Sequence, residues 1–176
     1  EATLPLAQGV QYGTMLKVSN SFSVTFHDAG HILGSAMLEI EAHGQEENRT
    51  IIFSGDIGLE NKPIVRDPTF FSQADYVVME STYGDRDHAA SGDVEDQLAA
   101  VINRTVDKGG KLVIPTFAVE RAQELMYHLA RLILADRIPQ IPIYLDSPMA
   151  INATEVFKRH QDCYDSEAWQ LIIQGR

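Results

Sequence analysis

Three polar residues stand just beyond apolar runs, each beside glycines or turn formers. His31 lies in DAGHILGSA, Asp56 follows the run TIIF in SGDIG, and Glu80 closes YVVME before STYGD. An imidazole presented from a glycine-flanked loop can ligate a metal, or it can be a hydrogen-bonded loop residue. A carboxylate at a strand end can bridge two metal ions about 3.5–4 Å apart, or it can bond its own backbone in a turn. A carboxylate beyond a buried strand can orient a His that moves protons, or it can face water. Each signal is ambiguous alone. Three strand-end polar residues among glycines are together the pattern of a loop-built active site.

Further candidates lie around these three. PTFAVERAQEL, residues 115–125, reads as a strand-to-helix turn whose unpaired backbone N–H groups could seat a phosphate. Arg121 in that segment, and Arg86 upstream, could contact phosphate, although a solvated or ion-paired Arg is the commoner case. Ser147 in LDSPMA could bind a nucleotide phosphate or cap the helix that follows. His88, in ESTYGDRDH, could face a substrate cleft or close a loop hydrogen bond. His27 sits four residues before His31 at a strand end, and a structural role is expected there.

The elements that must position these residues change texture near residue 85. In the first half, MLKV and FSVTF are short β-type runs, and SAMLEIEA alternates apolar and polar residues at period two. HGQEEN supplies a turn before the strand RTIIF. After a Pro-bearing loop, ADYVVME reads as a buried strand. In the second half, Val94, Leu98, Val101, Ile102 and Val106 recur at helical spacing, with Asp93 and Glu95 at the favourable N-terminal end. KLVIPTF is an expected strand, AVERAQELMYHLARLILA a long amphipathic helix, IPQIPIYLDS a strand and MAINATEVFKRH a helix. This alternation suggests βαβ units on a parallel sheet.

Composition limits the function classes. The 176 residues carry 25 acidic against 14 basic side chains, a formal charge of −11, which disfavours a non-specific nucleic-acid binder with a basic footprint. It leaves room for a nucleic-acid enzyme, because carboxylates that serve metal ions add to the acidic count. Cys163 is the one cysteine, which excludes an intrachain disulfide and a thiolate zinc cage. No apolar run approaches the ~20 residues that span a bilayer, so a cytoplasmic setting without membrane partners is expected.

DAGHILGSA, SGDIG, ESTYGDR and PTFAVERAQEL, in this order and at these spacings, resemble the β-CASP branch of the metallo-β-lactamase superfamily. That branch holds RNA-processing and RNA-degrading zinc nucleases, among them ribonuclease J and the pre-mRNA 3′-end processing endonuclease. With DSPMA following, the similarity is greatest to the bacterial RNA-degradation members. The resemblance implies an α/β architecture: residues 1–84 as the later part of a metallo-β-lactamase αββα sandwich, and 85–176 as the early part of a Rossmann-like β-CASP domain. It implies that His31 is a zinc ligand, that Asp56 bridges two zinc ions, and that Glu80 holds a downstream His acting on the leaving group. Ser81, His88, Arg121 and Ser147 become candidate substrate contacts. The implied reaction is hydrolysis of RNA phosphodiesters at a two-zinc site, in a homo-oligomer or an RNA-processing complex.

The departures from the family pattern are equally specific. Nothing in residues 1–25 resembles the His-x-His-x-Asp-His segment that supplies most of the metal ligands, and His27, His43, His88, His128 and His160 are too scattered to replace it. The late His motifs are also missing, and Glu120 stands where the family often has Gly. The expectation is an internal segment with an incomplete zinc site, inactive alone. Two alternatives are a non-catalytic scaffold subunit and a small-molecule hydrolase of the plain lactamase fold. His31, Asp56 and Glu80 argue against the first, and the alternation after Glu80 with PTFAVERAQEL argues against the second.

Overall fold

A computed structural model describes residues 3–87 and 93–168. The chain divides into two compact units, Glu1–Thr82 and Tyr83–Arg176. The first is built on one five-stranded sheet in the order β1-β2-β3-β4-β5, with β1 Met15–Lys17, β2 Phe22–Asp28, β3 Ala36–His43, β4 Asn48–Phe53 and β5 Tyr76–Val78. β1 to β4 form an antiparallel meander, and β5 joins β4 in parallel. Asp75 fixes that last junction. Its carboxylate accepts from the Thr50 N–H at 2.7 Å and from Arg49 at 2.9 Å, and these two bonds, the Thr50 one foremost, hold its pKa below the usual carboxylate range.

The topology has a consequence for the site. β2 and β4 both run antiparallel to β3, so they are parallel to each other, and β5 is parallel to β4. The C-terminal ends of β2, β4 and β5 therefore lie at one rim of the sheet. His31, Asp56 and Glu80 each follow one of those three ends within three residues.

Pleating sends alternate residues to opposite faces. The register aligns Val24, Ile40, Ile51 and Tyr76 in one cross-sheet row and Phe26, Leu38, Phe53 and Val78 in the next. These two rows are apolar throughout, yet none of the eight is buried; Phe53 is 39% exposed, Val78 50% and Tyr76 58%. The opposite face is the covered one, with Met37, Ile52, Ser23 and Thr25 buried. There His27 Nε2 meets Glu39 Oε2 at 2.8 Å and its ring stands edge-on to Phe71, so His27 has the structural role expected of it.

The run YVVME is not the buried strand its composition suggests. Among the described residues β5 is the edge strand, with β4 as its one neighbour in the sheet, and all of Tyr76–Met79 is exposed. Apolar runs mark a strand's capacity for burial, and burial itself depends on what lies against it.

In the second unit, α1 Val94–Asp107, α2 Arg121–Leu134 and α3 Pro148–Arg159 match the three expected helices. Asp93 caps α1 by accepting from the N–H groups of Glu95 and Asp96. Ala99, Ile102, Leu129, Leu132 and Ile138 form the buried core between α1, α2 and the following loop. Glu95 ties them together electrostatically, receiving His128 Nδ1 and Arg131 Nε, both at 3.0 Å.

The mixed α/β class is present, but the expected strands at 111–117 and 138–147 are not. Among the described residues of this unit no strand forms, and Val113 and Tyr144 are 85% and 86% exposed. A strand exists only as a member of a ladder, and no strand pairs with these two segments among the described residues. The helix expected from residue 118 begins at Arg121. Glu120 has φ +67° and ψ −64°, and the Arg121 N–H bonds the Val119 carbonyl at 2.9 Å, a tight γ-turn that delays the helix.

Candidate active site at the rim of the sheet

The three candidate residues are brought together through the backbones that carry them. The His31 loop and the Asp56 turn touch directly: the Gly58 N–H donates to the Ala29 carbonyl at 2.8 Å. The approach is so close that a methyl group on Gly58 would fall 1.7 Å from the Gly30 carbonyl oxygen. Gly30 itself has φ +64° and lies against Pro68, leaving no room for a side chain. These glycines exist so that two loops can cross. Gly58→Ala is expected to cost about 1–3 kcal/mol through overpacking. Gly9, with nothing within 4 Å of an added methyl, serves as the near-neutral control. Denaturant midpoints of the two alanine variants check this, and equal midpoints would contradict the crossing.

Glu80 joins the Asp56 turn from β5. Its Oε1 accepts the Ile57 N–H at 2.6 Å, and its Oε2 accepts from the Thr82 hydroxyl at 3.2 Å. Its own N–H donates to Ser54 Oγ at 3.1 Å, and the Ser54 N–H donates to the Val78 carbonyl at 2.9 Å. The carboxylate thus grips the residue next to Asp56, a contact that sequence reading did not anticipate. Asp56 is exposed, while His31 and Glu80 are half-buried.

His31 is presented by a compact loop. The N–H groups of His31 and Ile32 both donate to Ser35 Oγ at 3.2 Å, and the Tyr12 hydroxyl donates to the Ser35 carbonyl at 2.7 Å. The Lys62 ammonium donates to the His31 carbonyl from the Pro-bearing loop. That loop holds two non-glycine residues at positive φ, Asn61 at 57° and the buried Ile64 at 77°. Such conformations cost on the order of 1–3 kcal/mol each and cluster where the surroundings over-determine them. At the end of β2, burial pushes the Asp28 carboxyl above its ordinary range, and the nearby Arg66 and His27 partly offset it.

The remaining candidates are elsewhere or otherwise engaged. Ser81 is exposed directly after Glu80. Arg121 belongs to the second unit, where it is ion-paired with Glu124 at 3.3 Å. Ser147 caps α3, its hydroxyl accepting from the Ala150 N–H at 3.2 Å. Arg86 pairs with Asp85 and stacks over Tyr83. The carboxylate-bearing Glu120 is buried at the turn that could have seated a phosphate, and Tyr164 is pushed up first by burial and then by that carboxylate's charge. His88 lies outside the described residues.

The donors can be tested against a zinc site. An imidazole and a carboxylate, carried on two loops whose backbones touch, are of the kind zinc takes as ligands. They are two, whereas zinc ordinarily takes three or four protein ligands. Among the described residues no group of three or more His, Cys, Asp or Glu is placed to hold a metal. The described residues supply two donors of the right kind, short of the number a zinc site takes.

Polar residues on loops that follow three strand ends at one rim of a mixed sheet are the arrangement from which loop-built sites are made. Comparison with known proteins narrows this to a family. A Beta-Casp domain family matches residues 122–174. A ribonuclease of Thermus thermophilus is 38% identical over 176 residues, covering 100% of this chain and 39% of the relative. A transcription termination factor of Methanosarcina mazei is 35% identical, covering 98% of this chain and 26% of the relative. Subunit 3 of the cleavage and polyadenylation specificity factor of Dictyostelium discoideum is 32% identical, covering 80% and 18%. The chain belongs to the β-CASP branch of the metallo-β-lactamase superfamily. It spans less than two fifths of the length of these relatives. No helix among the described residues is long and apolar enough to cross a membrane.

Proposed function

We propose that this chain is the part of a zinc-dependent ribonuclease that carries one share of a two-metal site, in a protein acting on RNA in the cytoplasm. The observation that carries the reading is the convergence of His31, Asp56 and Glu80 at one rim of the sheet, with backbone bonds between the three segments. The relatives' names, a ribonuclease and a cleavage factor subunit among them, favour RNA as the substrate. When bound, a pair of zinc ions supplies an activated hydroxide and polarises the phosphate. In this reading His31 and Asp56 hold metal, and Glu80 fixes the Asp56 turn and presents a negative charge beside it. Ser81, His88, Arg121 and Ser147 remain candidate RNA contacts. Residues 1–84 make up lactamase-lobe structure and 85–176 β-CASP-lobe structure. The protein works as a homo-oligomer or within an RNA-processing complex.

The same reading explains the uncovered apolar face. Two apolar rows on one sheet face call for a second layer, and the family's sandwich supplies a facing sheet about 10 Å away. A share of a site and half of a sandwich together imply that the chain alone does not cleave RNA. Two donors are too few for tight zinc, so titration of the isolated 176-residue chain is expected to show no stoichiometric uptake. The full-length protein is expected to lose RNA cleavage on chelation and regain it with zinc. A submicromolar site in the isolated chain that His31→Ala removes would overturn the shared site. RNA cleavage by metal-stripped full-length protein would overturn the two-metal reaction.

A further inference from the structure

We propose that Lys62 is a positioning residue that clamps the His31 loop, aimed there by the strained turn at Ile64. Both peptide groups of His31 are held: its N–H by Ser35 Oγ at 3.2 Å, and its carbonyl by the Lys62 ammonium. Lys62 comes from a segment 31 residues away, so the second tie is a tertiary one. A lysine head group ordinarily stays in water at the end of a flexible stem. Here it donates to a backbone carbonyl of another loop, which ties the two loops together. Ile64 follows Pro63 with φ +77°, a region that Pro-led turns ordinarily reserve for glycine. For a β-branched residue this conformation is a true outlier, retained with Ile64 and its neighbour Val65 both buried. Asn61, on the other side of Lys62, is also at positive φ, and its N–H is fixed by Asp67 Oδ1 at 2.7 Å. The residues flanking Lys62 are thus locked, and its stem starts from a fixed point.

The purpose follows from what His31 must do. A metal ligand on a loop is useful only when its orientation is held within about 0.5 Å, and rotation of either flanking peptide would swing the imidazole. Outer partners of a metal ligand commonly govern affinity by about 10–100-fold. The metal part of this inference rests on the zinc reading above; the clamp itself rests on geometry.

The test uses the full-length protein with Lys62→Met and Lys62→Arg. Amide hydrogen exchange across residues 31–35 is measured on metal-free protein, and the zinc dissociation constant is measured by chelator competition. Lys62→Met is expected to speed that exchange at least about tenfold and to weaken zinc by about 10–100-fold, with little change in Tm. Lys62→Arg, which keeps a donor, is expected to regain most of both. Unchanged exchange overturns the clamp. Faster exchange with unchanged zinc affinity makes Lys62 a structural tie and overturns the positioning role. If the wild type takes up no zinc that His31→Ala removes, the zinc reading fails, and the clamp stands or falls on exchange alone.

Discussion

Asp56→Ala in the full-length protein is expected to abolish RNA cleavage while leaving RNA affinity largely intact. If Asp56 bridges the proposed pair of zinc ions, its loss would remove a metal or misplace the attacking hydroxide and raise the barrier by about 4 kcal/mol or more, roughly a thousandfold in rate. The structure gives a reason to expect the fold to survive. Asp56 is exposed, and its turn is held without its side chain, by the Gly58 N–H on the Ala29 carbonyl and the Ile57 N–H on Glu80. Binding draws on phosphate contacts spread over the RNA path, which one lost ligand hardly alters. Single-turnover cleavage and filter binding, with zinc content measured on the same preparation, separate the two effects. Near-normal turnover would end the bridging role.

The sequence announced local features well and their partners poorly. Strand periods in FSVTF and SAMLEIEA and the helical spacing from Val94 to Val106 are local properties, and all three elements form within a residue or two of the expected bounds. YVVME, KLVIPTF and IPQIPIYLDS announce apolarity too, but a strand is completed by a neighbour. β5 found one on one side, and the other two runs found none among the described residues. The site divides in the same way. His31, Asp56 and Glu80 stand out as candidates in the sequence because each is a polar residue presented after an apolar run, near glycines. The Ile57–Glu80 bond and the Lys62 tie do not, since each joins residues more than twenty positions apart by way of a backbone group. No side-chain pattern encodes a bond to a peptide. Gly58 was a partial signal: a glycine two residues after a candidate ligand marks close approach, but not what approaches.

Glu80 can be asked which of its two attributes matters, its charge or its oxygen. The family resemblance gives it a charge role, holding a protonated His near the leaving group. The structure gives it an oxygen role, with Oε1 accepting the Ile57 N–H at 2.6 Å beside Asp56. Glu80→Gln keeps a carbonyl oxygen for Ile57 and removes the charge, whereas Glu80→Leu removes both. In the full-length protein, Glu80→Gln is expected to retain zinc and to slow RNA cleavage by about 10²–10⁴-fold, because an amide stabilises an imidazolium far less than a carboxylate does. The slowing should shrink on an aryl phosphodiester, whose leaving group needs no proton. Glu80→Leu is expected to go further: an unpaired Ile57 amide costs about 1–3 kcal/mol, the Asp56 turn loosens, and zinc retention falls. Equal slowing of both substrates by Glu80→Gln would remove the proton-donor role and leave the grip on the Asp56 turn. Zinc loss already in Glu80→Gln would place Glu80 among the metal's own ligands. Unchanged rates and zinc content in both variants would return it to solvent as an ordinary strand-end carboxylate.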